Sequence, residues 1–156
     1  PALVYTLTDR ADAVFPKNYD ILANLLLDEV LAMDGQQHLQ ALLRRVSARM
    51  TEQHAERLEG KDLEGRVAEA VQILQEQGCI AEWERQGDEF FIHECTCPYP
   101  KVAREHRAVC ALEVDFVRRL TGGEAKLVTS LLRGDKSCTY RIRPSTPAAA
   151  PKAAGS

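Results

Sequence analysis

A chain of 156 residues, 45% hydrophobic and 28% charged, has ordinary globular composition and is long enough to bury a core without disulfide or metal staples. Its net charge of −3 and pI near 5.8 exclude a chain-wide attraction to nucleic acid or to an anionic membrane, leaving only a local basic patch for that role. No window approaches eighteen consecutive apolar residues and no secretory leader opens the chain, which excludes a helical membrane span and predicts a cytoplasmic protein whose five cysteines, an odd number, stay reduced.

The chain starts at Pro1 and enters the alternating stretch ALVYTL at once, so it reads as a piece of a longer protein. Ala2 to Leu7 predicts a short strand, Thr8 or Asp9 an N-cap, and Arg10 to Phe15 a helical turn ending at Pro16. From Pro16, the residues Ile21, Leu22, Leu25, Leu26, Val30 and Met33 recur at helical spacing up to Asp34-Gly35. A second helix begins near Gln36, with Leu39, Leu42, Leu43, Val46 and Met50 on one stripe and Arg44, Arg45 and Arg49 on a solvated face, fading towards Gly60. A third is expected from Asp62 to Gln77, with Gly78 as its left-handed cap.

After Gly78 the pattern changes period. CIAEWERQGDEFFIHEC predicts a hairpin about Gln86-Gly87-Asp88, Pro98 to Arg104 a short helix, and Ala108 to Leu120 a longer one ended by Gly122-Gly123. KLVTSLL and SCTYRIR predict a second hairpin about Arg133 to Lys136, with Cys138, Tyr140 and Ile142 on one face. Helices, hairpin, helices, hairpin predict an α+β fold: a helical half, then a small antiparallel sheet of two hairpins covered by helices. The tail STPAAAPKAAGS has little to bury and is expected to be disordered.

Three of the five cysteines fall between His93 and Cys110. Cys97, Cys110 and Cys138 are spaced C-x12-C-x27-C, too far apart for the C-x2-C pair of a zinc ribbon or a thioredoxin-like motif. Such spacing is open to convergence after folding, with Cys97 at a helix start that favours its thiolate, Cys110 early in the next helix and Cys138 on an inward strand face. Three soft donors among Phe116, Tyr140 and Ile142 suit an iron-sulfur cluster better than a hard ion. The competing reading is that these are core thiols, cysteine being among the most buried residue types, and Cys79 beside Gly78 is read as a packing residue.

CPYPKVAREHRAVCALEVDFVRRLTGG together with LLRGDKSCTYRI resembles the sensor part of SufR-type regulators, winged-helix repressors of iron-sulfur assembly operons. The opening residues, Pro1 to Val30, resemble that family's passage from the last wing strand into its linking helix, so the likeness spans Pro1 to Arg143. The resemblance implies residues 1–9 as the remnant of a wing strand, 10–78 as a helical linker and dimerisation region, 79–143 as the cysteine-bearing sensor and 144–156 as a tail. It implies that Cys97, Cys110 and Cys138 are ligands of a four-iron, four-sulfur (4Fe-4S) cluster in each subunit of a homodimer, with operator DNA bound by a winged helix largely absent from this chain. Some members carry a further cysteine between the second and last of these positions. This chain has none there, so Cys95, Glu113, His93 and His106, or else water or a small thiol, are the candidate fourth ligands. The dimer is expected to use the apolar faces of the Pro16–Met33 and Gln36–Met50 helices.

Two other readings stay open: a small-molecule (V4R-like) effector-binding domain of a regulator, and a cluster-free thiol or zinc sensor. An enzyme is not expected, since the chain has no Gly-rich phosphate loop, no G-x-S-x-G and no H-E-x-x-H.

Overall fold

The computed structural model describes residues 18–145, so the strand expected over Ala2–Leu7, the turn to Phe15 and the tail from residue 146 lie outside the described residues. The helical half consists of α1 (Tyr19–Glu52), α2 (Ala55–Leu58) and α3 (Leu63–Glu76). The second half follows as β1 (Ala81–Gln86), β2 (Glu89–Glu94), α4 (Pro100–Glu105), α5 (Ala108–Thr121), β3 (Glu124–Thr129) and β4 (Cys138–Arg143). The architecture is α+β, as the change of period predicts.

The two helices expected on either side of Asp34-Gly35 form one run, α1, that is broken at Gly35. There φ is 75° and ψ is 178°, a conformation open essentially to glycine alone. The helix therefore turns a corner at Gly35. α3 is capped by Asp62, whose side chain accepts the Gly65 N–H at 2.8 Å, and Gly78 ends the segment in the left-handed region at φ 90°.

The four strands lie in the order β1-β2-β4-β3, every pair antiparallel. β2 and β4 are central, and their register pairs Ile92 with Tyr140 and Glu94 with Cys138. The strand expected over Lys126–Leu132 starts and stops earlier. After Thr129 the chain turns through a 3-10 segment at Leu131–Arg133, tied by the Ser130 N–H donating to the Asp135 carboxylate at 2.7 Å.

Alternation along the strands sends Phe90, Ile92, Tyr140 and Ile142 to one face, where α3 and α5 cover them with Val67, Ala70, Ile73, Leu74, Phe116, Val117 and Leu120. This is the main core, and each of these side chains is buried. Burying a large aliphatic or aromatic side chain contributes about 1.5–3 kcal/mol, so the α5 stripe anchors that helix firmly on the sheet. At the end of α5, Gly122 adopts φ 70° and Gly123 lies so close to β4 that a Cβ there would stand 2.6 Å from the Arg143 carbonyl oxygen. The far end of α5, where Cys110 and Glu113 sit, is thereby aimed along the sheet towards the start of β4.

A second, smaller core joins Leu39 and Leu43 of α1 to Leu112 of α5, with Leu27, Val30, Tyr99 and Ala108 packed against it. The stripe expected to serve a partner from Gln36 onward is thus largely used within the chain, while Arg44, Arg45 and Arg49 are exposed as expected. The first half of α1 differs. Ile21, Leu22, Leu25, Leu26 and Met33 are each more than half exposed, at 54, 56, 58, 59 and 78%. Among the described residues no helix is long and apolar enough to cross a membrane.

Candidate metal centre

Cys97, Cys110 and Cys138 line a single cavity between the start of β4, the first turns of α5 and the irregular segment 95–99 that joins β2 to α4. Each reaches it differently. Cys110 is the third residue of α5 and Cys138 the first of β4, both on elements held by the main core. Cys97 belongs to no helix or strand, although its segment is pinned where the Cys95 N–H donates to Ile80 O at 2.7 Å and the Ile80 N–H to Thr96 Oγ1 at 2.8 Å.

The short helix expected from Pro98 begins two residues later, at Pro100, because Tyr99 takes the cap position. Cys97 therefore precedes the helix rather than opening it. Its thiol is not lowered towards the thiolate as a helix start would predict. Burial pushes it up, against a smaller opposing pull from its hydrogen bond to the Tyr99 backbone. Burial also raises the thiols of Cys110 and Cys138, and the charge of Cys138 raises Cys97 and Cys110 a little further.

Two carboxyl groups complete the lining, Glu94 from β2 and Glu113 from α5, and the cavity wall contains no Lys, Arg or His. Glu94 is 1% exposed, and its Oε2 accepts the Tyr140 hydroxyl at 3.1 Å. Burial raises its pKa, opposed by hydrogen bonds from the Cys79 thiol and from Tyr140. Glu113 is 6% exposed, and neither of its oxygens has a hydrogen-bond partner. Burial, and after it the charge of Glu94, pushes its pKa up to about 8. Tyr99 closes one side with its own hydroxyl pushed up by burial to about 12.

The cavity is narrow, with a volume of ≈ 20 Å³. Among the described residues no three Cys, His, Asp or Glu side chains surround one point as ligands of a single metal ion. The donors instead ring a space. Soft thiols from three directions, plus a buried carboxyl without a partner, fit a polynuclear iron-sulfur core in donor chemistry, each iron needing only one protein ligand.

The other expected donors stand elsewhere. β2 ends at Glu94, so the extended strand that would align Cys95 with Cys97 does not exist, and Cys95 is exposed outside the cavity. His93 points to the open face of the sheet, with Nδ1 3.1 Å from Thr139 Oγ1 and Nε2 3.5 Å from Glu84. His106 caps α4 and faces α1, its Nε2 3.3 Å from Asp28 Oδ1 but out of hydrogen-bond alignment. Cys79 is buried in the main core, as a packing residue should be.

Glu94 is the lining residue that pattern reading missed, although a signal existed. It continues the inward alternation of Phe90 and Ile92 in EFFIHE, where an apolar residue is expected. Glu113 breaks the helical stripe of Val109, Leu112, Phe116 and Leu120 in the same way. Two acids that break two apolar patterns at one place mark a candidate functional site. No protein-family model matches the chain, and no curated protein matches it.

Proposed function

We propose that this chain is the sensor part of a homodimeric, DNA-binding transcriptional repressor that holds a 4Fe-4S cluster on Cys97, Cys110 and Cys138 and controls iron-sulfur assembly genes. The observation that carries the reading is the gathering of those three thiols, scattered over forty-two positions from Cys97 to Cys138, around one cavity. Bound there, a cluster supplies iron-thiolate bonds that are lost to oxidants or to iron shortage.

The chain's own contribution is mechanical. Cys110 and Cys138 sit on elements locked by Phe116, Leu120, Tyr140 and Ile142, whereas Cys97 sits on the one wall without helix or strand. Ligation ties that wall to the rigid pair, and its loss frees it. The wall continues through Tyr99 and α4 to α1, where Tyr99 packs against the cluster of Leu39, Leu43 and Leu112 and Lys101 reaches Asp20 at 3.1 Å. Displacement of Cys97 is thereby passed to the helix that leads towards the DNA-binding domain. The exposed Ile21, Leu22, Leu25, Leu26 and Met33 supply the dimer contact in this reading, and the ordering of segment 95–99 shifts the dimer between two arrangements.

The rival readings are served less well. A wall of three thiols and two carboxyls does not suit an apolar effector. Thiols raised by burial are poor nucleophiles for a cluster-free thiol sensor, and a single zinc ion has no ready set of three ligands among the described residues. Anaerobic reconstitution with iron and sulfide tests the proposal. The expected result is about four irons and four sulfides per chain with a broad sulfur-to-iron absorption band; a Cys97→Ser, Cys110→Ser, Cys138→Ser triple variant that takes up the same amount refutes it.

A further inference from the structure

We infer that Glu113 is the fourth protein ligand of that cluster, bonding one iron through a carboxylate oxygen. The inference rests on the cluster reading above and assigns the one coordination position that three cysteines leave over.

Three observations single this residue out. Glu113 lies one helical turn after Cys110, so both project from the same side of α5 into the cavity that Cys97 and Cys138 also line. Its side chain is almost fully buried while both oxygens lack any hydrogen-bond donor. Burying a carboxyl in this way is unfavourable, and such a group calls for a partner the described residues do not supply. The third observation concerns charge: with no Lys, Arg or His in the wall, a cation able to stabilise the ionised form of Glu113 has to come with the ligand.

The alternatives are each engaged or misplaced. Glu94 shares the cavity and its Oε1 is likewise without a partner, but its Oε2 is held by Tyr140, which fixes the carboxyl to the sheet, whereas both oxygens of Glu113 are free. Cys95 is exposed and off the cavity, His93 bonds Thr139 on the far face, and His106 faces Asp28. An oxygen donor among three thiolates makes one iron unlike the other three, with harder ligation and easier exchange. On binding, the Glu113 carboxyl gives its proton to solvent as the oxygen-iron bond forms.

The test is Mössbauer spectroscopy of the full chain reconstituted anaerobically with ⁵⁷Fe, combined with iron retention under an anaerobic chelator. Wild type is expected to show one iron in four with a distinct isomer shift. Glu113→Cys is expected to make all four sulfur-ligated and to abolish that component. Glu113→Gln, nearly isosteric, is expected to lose the fourth iron to chelator about tenfold or more faster, the usual scale for disturbing metal ligation, while Cys95→Ser behaves as wild type. A circular dichroism melt of each apo variant establishes folding. A wild-type spectrum and retention in both Glu113 variants overturns the inference and leaves the cluster reading standing; failure of wild type to take up iron and sulfide overturns the cluster reading itself.

Discussion

The Tyr140 hydroxyl donates to Glu94 Oε2 over 3.1 Å, joining β4 to β2 on the face covered by the helices. Both residues are all but sealed from solvent, at 2% and 1% exposure. Tyr140→Phe keeps the ring and its packing but strips the carboxyl of this donor. We expect a loss of about 1–3 kcal/mol in urea unfolding of the apo protein, the cost of an unsatisfied buried acceptor. An unchanged midpoint would mean that the bond contributes nothing.

Stability should also fall with rising pH because of Glu113. Its carboxyl keeps a proton in the folded chain up to about 8, while in the unfolded chain it ionises near 4.5. Between those values the folded state binds more protons than the unfolded one, so raising the pH favours unfolding; the contribution is full below 4.5 and gone above 8. Glu94, raised by burial as well, acts in the same direction. Denaturation of the apo protein at pH 5 and pH 8 is expected to show the drop in wild type, and a shallower one in Glu113→Gln. Equal slopes for the two proteins would remove Glu113 from the explanation.

Cysteine substitutions should divide by position rather than by count. Serine at Cys97, Cys110 or Cys138 is expected to cut the iron and sulfide bound on anaerobic reconstitution, since each removes a donor from the cavity wall. Cys95→Ser, on the exterior, is expected to bind as wild type. Cys79→Ala, in the core, is expected to lower stability by about 1 kcal/mol and leave iron content unchanged.

The two halves of α1 should respond in opposite ways. Leu39 is 1% exposed against Leu112, so Leu39→Ala should cost about 2–5 kcal/mol in the folded chain. Leu22 and Leu25 are more than half exposed, and the double change Leu22→Glu, Leu25→Glu should leave the unfolding of the monomer within about 0.5 kcal/mol while abolishing association in sedimentation. A variant pair that sediments as wild type would take this face out of the dimer.

Much of the architecture was legible because it is periodic. The third helix with its Asp62 cap and Gly78, both hairpins, and α5 ended by Gly122 are local consequences of side-chain spacing and of glycine's access to positive φ. The displacements occurred where two local rules competed. Pro98 and Pro100 both suit a first helical turn, and the strand KLVTSLL was cut short because Asp135 captures the Ser130 N–H.

The site divides along the same line. Spacing alone was enough to argue that three distant thiols are open to convergence after folding, and to mark Glu113 as an acid on the α5 face that carries Cys110. Amphipathic pattern told that α1 has an apolar side but not what covers it, since helical period is the same for a core stripe and for an interface. Which candidate donors share the cavity was decided by the pairing of β2 with β4, which sets Glu94 opposite Cys138, and by the end of β2 at Glu94, which leaves Cys95 outside. The β2–β4 pairing joins residues more than forty positions apart. A one-dimensional pattern reports the direction a side chain takes from its own element, and only the packing of elements reports what it meets.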